Sequence, residues 1–233
     1  MKKVLKYQLS DLKTSIVVFY IIYYAILCAS YFIFFTNSTN GTFYNGADFS
    51  SLLFSFIIGA AIFKEHFWMV CQNGVSRKTF FKSSICCMLS VTAFMAFITQ
   101  ITISITQGTF TFIRELYPAF HTNMILSFIV NILTFMSTYA LGFMGGYLTA
   151  VLYCLSGKFL KIIIVSGLPV LIFFLFPASL QIFPDFWKPV RKFFLIIFGL
   201  ETGNPVPAIF TLFIITCILS LISYPLVRKV EVK

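Results

Sequence analysis

The chain has 233 residues, of which 59% are apolar and only 10% charged. A water-soluble globular domain carries about 25% charged residues, so this surface cannot face water on all sides. Thirty-one phenylalanines and a mean hydropathy of +0.95 exclude a disulfide-stapled scaffold, a disordered tail and a nucleic-acid-binding domain, and indicate a polytopic membrane protein.

A helix needs about 20 apolar residues to cross roughly 30 Å of hydrocarbon, and six stretches reach or approach that length. Ahead of the first, Leu5, Leu9 and Leu12 recur at helical spacing among Lys2, Lys3, Lys6 and Lys13. This suits either an amphipathic N-terminal helix lying on the inner membrane surface or a basic cap on the first span. The first span, 15–35, is too long for the apolar core of a cleavable signal peptide and is expected to stay in the membrane. The second, 48–63, is shorter, but the apolar residues 67–70 suggest that its helix runs on past Lys64. The third covers 83–107 and the fourth 124–153.

Ser51, Ser55 and Gly59 recur every four residues in the second span, as do Thr138, Gly142, Gly146 and Ala150 in the fourth. A stripe of small residues lets helix backbones approach closely, either across a seam between two subunits or within one bundle. Gln100 and Asn131 are the strongest polar groups inside spans, suited to a substrate pathway or to hydrogen bonds between helices. The fifth span, 162–183, is divided by Pro169 and Pro177, each of which removes a backbone hydrogen bond and invites a kink. Pro184, Pro189, Pro205 and Pro207 then crowd a segment in which Arg191 and Lys192 precede the apolar run 193–200. That run is too short to cross, and suits a re-entrant helix that dips into the outer leaflet and returns near Glu201 and Gly203. The sixth span covers 206–226.

Orientation follows from lysine and arginine, which stay on the cytoplasmic side during insertion. Thirteen of the seventeen lie in the N-terminal segment, the second loop, the fourth loop and the C-terminal tail; the other four are Arg114, Lys188, Arg191 and Lys192. Both ends are therefore expected in the cytoplasm, and the net charge of +10 is mostly this topology signal rather than a nucleic-acid footprint. The fold class expected is all-α: one domain, residues 1–233, with six spans.

The spans hold no Asp, Glu, Lys, Arg or His away from their ends. Such groups inside a bilayer mark ion pathways, proton relays or catalytic sites, so none of these is expected. Glu65-His66 lacks the second histidine of a zinc-protease motif, and Gly157-Lys158 is no phosphate-binding loop, having Phe159 next and no glycine at the required spacing before it. The six cysteines show no Cys-x-x-Cys spacing and, with two histidines, no typical zinc pattern; they read as small apolar core residues. No catalytic residue, metal or bound cofactor is expected on this chain.

The segment 64–82 reads KEHFWMVCQNGVSRKTFFK. It resembles the loop between the second and third spans of permease subunits of bacterial ATP-binding-cassette exporters, the type-2 membrane-protein family. The expected layout of six spans, internal termini, an amphipathic start and an external re-entry agrees with that family. The resemblance implies a coupling helix that docks into a separate ATPase subunit. Glu65 would begin it, Phe67, Trp68 and Val70 would form its packing face, and Asn73-Gly74 would end it. Ser76, Arg77 and Lys78 would meet the partner or the lipid headgroups. The Asn-Gly stop has independent physical sense, because glycine tolerates positive φ. The alternative is a positively charged loop with an interfacial tryptophan.

The resemblance further implies a bacterial plasma membrane, a second permease, identical or homologous, and ATP with magnesium on the ATPase partner. Export of a peptide, an antimicrobial or another amphipathic compound would follow. Two other expectations stand beside it: the substrate-binding membrane subunit of a vitamin importer, and a non-transporting immunity or sensor protein.

Overall fold

The computed structural model describes residues 1–36, 46–105, 116–117, 124–167, 177, 179 and 184–230. All regular structure among them is helical: α1 (Lys2–Thr36), α2 (Ala47–Gln72), α3 (Arg77–Ile105), α4 (Met124–Leu155), α5 (Lys158–Ile162), α6 (Pro184–Ile197) and α7 (Val206–Lys229). Five of these, α1, α2, α3, α4 and α7, are long and apolar enough to cross a membrane. Of the expected fifth span, α5 and the π-helical turn Ile163–Gly167 form the start. Most of the rest of it, Pro169 included, lies outside the described residues, as do Gln107 and Arg114.

Cross-helix pairs show the directions of the first helices. Gln8 meets Ser84, Tyr20 reaches the Met95 carbonyl and Tyr24 meets Thr102, so α1 and α3 run the same way. Asp11 meets His66 near the end of α2, while Ser51 near its start meets Thr99, so α2 runs against both. Tyr139 in α4 donates to Thr99, and Phe81 of α3 packs on Tyr147 of α4 and on Tyr224 of α7. This up–down alternation is what consecutive helices that each cross the same layer must adopt. It gathers the basic ends in one place: the Arg77 guanidinium donates to the Arg228 carbonyl, joining the α2–α3 turn to the end of α7.

The core lies where α2, α3 and α4 meet, around Phe63, Phe67, Phe80, Tyr139, Phe143 and Tyr147. Edge-to-face contacts such as Phe63 on Tyr147 (5.3 Å) and Phe67 on Phe80 (5.5 Å) suit the quadrupoles of the rings. The outer faces are apolar as well. Ile21, Ile26 and Phe32 of α1 are 63–70% exposed, and so are Phe210 and Leu221 of α7 (64% and 73%), as helices facing hydrocarbon require.

The stripes of small residues lie within one chain. A Cβ built on Gly146 would stand 1.9 Å from the Phe56 carbonyl oxygen, and one on Gly59 would stand 2.0 Å from that of Phe143. Gly142 faces Ser55 and Leu52. The backbones of α2 and α4 therefore touch through Ser55, Gly59, Gly142 and Gly146, and this face is closed to a second subunit.

Three expectations change. The N-terminal segment is no separate surface helix, because α1 is continuous from Lys2. Its Leu12 is buried and its Gln8 is fully enclosed, held between Ser83 and Ser84 (2.8 and 3.2 Å), since polar groups on that face find partners on α3. The second helix runs on through Lys64 as expected, but it reaches Gln72 unbroken, so the loop shrinks to residues 73–76. The cysteines are all free, yet Cys28 and Cys217 lie on the exposed surface rather than in the core, because that surface is itself apolar.

Candidate functional site

The turn between α2 and α3 is built by a helix stop followed at once by a helix start. Asn73 caps α2: its backbone N–H and its side-chain amide (2.8 Å) both donate to the Met69 carbonyl. Gly74 adopts φ +78°, the left-handed conformation that ends helices. Val75 then donates back to the Val70 carbonyl at 3.3 Å. The next residue, Ser76, caps α3 by accepting the Thr79 backbone N–H at 3.3 Å, with its hydroxyl 2.9 Å from that of Thr79. The string Asn-Gly-Val-Ser-Arg is thus a complete instruction for reversing the chain in four residues.

These contacts redistribute the roles expected along the segment. Glu65 begins no helix; it is an exposed residue well inside α2. Phe67 and Val70 are buried in the chain's own core, and Trp68 is half-buried with its ring edge-on to Phe67. Ser76 serves α3, and Arg77 satisfies a carbonyl at the end of α7, where the last turn of a helix leaves such oxygens without partners. The surface left for another molecule is Lys64, Glu65, Met69, Gln72, Asn73, Gly74 and Lys78, all exposed.

His66 is an unforeseen member of this end. It is 2% exposed, and its Nε2 lies 2.8 Å from Asp11 Oδ2, joining α1 to α2; Tyr7 packs on its ring at 5.0 Å. A donor atom of Glu65 comes within 4.8 Å of those of Asp11 and His66, the one grouping of this kind among the described residues. The hydrogen bond to Asp11 occupies Nε2, while the buried Nδ1 has no hydrogen-bond partner among the described residues. The signal in the sequence was Asp11 itself, the only acid among the N-terminal lysines.

At the opposite end a cavity of about 450 Å³ opens between α2, α4, α7 and the residues after α6. Among its walls are Leu52, Phe135, Thr138, Phe198, Ala208 and Leu212, with Asp48 at the start of α2. The wall hydroxyls are already engaged. Thr134 donates to the Val130 carbonyl, Thr138 to the Thr134 carbonyl and Tyr139 to Thr99. Tyr117 donates to the Phe198 carbonyl at 2.7 Å, and burial pushes its phenol pKa upward. Apart from the Asp48 carboxylate, which accepts the Phe49 backbone N–H, the cavity therefore offers hydrocarbon contact and almost no hydrogen bonding.

The two expected pathway residues are not brought together at this cavity. Gln100 is buried in α3, and its Oε1 has no hydrogen-bond partner among the described residues; Asn131 is half-buried on α4. No protein-family model, curated protein or solved structure matches the chain. What sequence and structure together establish is an all-helical protein with five helices long and apolar enough to make it a multi-pass membrane protein.

Proposed function

We propose that this chain is the membrane-spanning permease subunit of an ATP-driven exporter of peptide or other amphipathic cargo in a bacterial plasma membrane. ATP and magnesium would be held by a separate ATPase subunit, and a second permease, identical or homologous, would complete the pathway. The observation that supports this reading is the turn at 73–76: a short, capped and exposed reversal at the basic end, continuous with two long helices. A short capped turn passes a push along α2 and α3 instead of absorbing it. Helix α2 then carries the push into α4 through the backbone contacts at Gly59 and Gly146. ATPase closure against Glu65, Gln72, Asn73 and Lys78 would switch the bundle between inward- and outward-open forms. The vitamin-importer reading has less support, because the cavity walls leave few free polar groups to recognise a vitamin.

The test is purification of the tagged protein from its native membrane in mild detergent, with mass spectrometry of what accompanies it. An ATPase subunit should co-purify with the wild-type chain. The pair Glu65→Lys and Lys78→Glu should reduce its recovery at least tenfold while leaving the melting temperature unchanged, since both residues are exposed. A folded protein with no ATPase in the eluate would overturn the exporter reading.

A further inference from the structure

We infer that the cavity opposite the basic end, together with α6, forms a binding site for one anionic lipid, with a chain in the cavity and the headgroup on Arg191 and Lys192. Helix α6 is strongly two-sided. Phe186, Trp187, Val190, Phe193, Phe194 and Ile197 share one face, and Lys188, Arg191 and Lys192 share the other. Phe186, Phe193 and Phe194 are 51–67% exposed, so much of the apolar face is left to its surroundings, while Trp187, Val190 and Ile197 are half-buried. A helix of this composition lies in a bilayer interface, apolar face down and cations at the headgroups.

The basic residues carry the argument further. Cations are disfavoured at this end of the bundle by the rule that places thirteen of seventeen at the other. Lys188 is paired with Asp185 at 2.6 Å, whereas Arg191 and Lys192 are both exposed. The helical pattern continues beyond Ile197, since Phe198 donates to the Phe194 carbonyl at 2.9 Å. Arg191 and Phe198 are seven residues apart, hence on one side of the helix and separated by about 10 Å along its axis. Phe198 is a wall of the cavity, and Tyr117 holds its backbone there.

The stripe therefore leads from a guanidinium that suits a phosphate directly to an apolar cavity with its hydroxyls engaged. Hydrocarbon at one end and an anion at the other describe an anionic lipid of the adjoining leaflet. The site stands independently of the exporter reading, because it involves neither the 73–76 turn nor an ATPase.

The experiment is native mass spectrometry of the full-length protein released from detergent, titrated with single-chain lipids. The probes are lysophosphatidylglycerol and lysophosphatidylcholine of equal chain length. One-to-one binding of the phosphoglycerol lipid is expected, at least tenfold tighter than the choline lipid. Arg191→Gln with Lys192→Gln should remove that preference. Ala208→Leu, which adds carbons inside the cavity, should weaken both lipids about tenfold. Equal binding of the two headgroups, or a preference unchanged in the double variant, would overturn the assignment. So would unchanged affinity in Ala208→Leu. Should that variant fail to fold, eight- and sixteen-carbon chains compared on the wild-type protein decide the point, equal affinity refuting a chain in the cavity.

Discussion

Gly146→Ala will lose about 3 kcal/mol of stability, at the upper end of what overpacking by one methyl group usually costs. The reason is geometric: the new Cβ would stand 1.9 Å from the Phe56 carbonyl oxygen and 2.8 Å from its carbon, and both belong to backbone. A flexible side chain could rotate away, but a helix backbone in a close-packed bundle moves only as a unit, so α2 and α4 must separate along their length. Gly59→Ala should behave alike, since its Cβ meets the Phe143 carbonyl at 2.0 Å. Gly145→Ala is the internal control. Its Cβ would be 3.7 Å from the Phe56 ring, ordinary contact distance, so the change should be neutral or stabilise by up to about 1 kcal/mol through helix propensity. Thermal unfolding in detergent distinguishes them, with Gly146→Ala melting ~10 °C below the wild type and Gly145→Ala at or above it. A Gly146→Ala protein that melted normally but lost dimers would return this stripe to a subunit seam.

Gln8→Ala should destabilise by about 2–4 kcal/mol, through a cavity and a lost pair of buried hydrogen bonds. Gln8 is fully buried; its Oε1 accepts from Ser83 and its Nε2 donates to Ser84. Ser84 keeps its own bond to the Phe80 carbonyl, so Ser83 is the hydroxyl left without an acceptor. A double-mutant cycle of Gln8→Ala with Ser83→Ala should therefore give a coupling of about 1 kcal/mol, whereas Gln8 with Ser84 should couple less. If the N-terminal segment instead lay on the membrane surface, all three substitutions would be close to neutral and the cycle would show no coupling.

These two sites show why part of the fold was legible beforehand and part was not. Span positions are a one-dimensional property, because the bilayer tests each segment of about 20 residues for apolar content. The segments 15–35, 48–63, 124–153 and 206–226 accordingly fall within helices long enough to cross, as does 83–107 up to Ile105, where the described helix ends. The helix stop at Asn73-Gly74 was equally legible, since positive φ at a glycine is a local requirement. The role of Ser76 is local too, but its capping of α3 shows only once the start of that helix is known.

The partners of His66, Gln8 and Arg77 were not legible, because each lies on another helix at 55, 75 and 151 residues' remove. Nothing in a local pattern says whether a polar residue near a span end faces water, headgroups or a neighbouring helix. The same uncertainty explains Phe67 and Val70. Their apolar character announced a packing face, and only the position of α3 and α4 decided that the face was already covered from within the chain.

The cavity follows the same division. Its wall residues come from α2, α4, α7 and the residues beside them, and no single segment carries a sign of it. By itself the sequence determined the apolar character, five of the six expected spanning helices and the end of the bundle at which most charges gather, since each depends on composition over one stretch of chain. The tertiary structure alone decided that the glycine stripes close on each other, that α1 is clamped to α3, and that an apolar cavity opens beside Phe198, just past the end of α6. Those outcomes depend on which faces meet, and faces meet only when distant segments have packed.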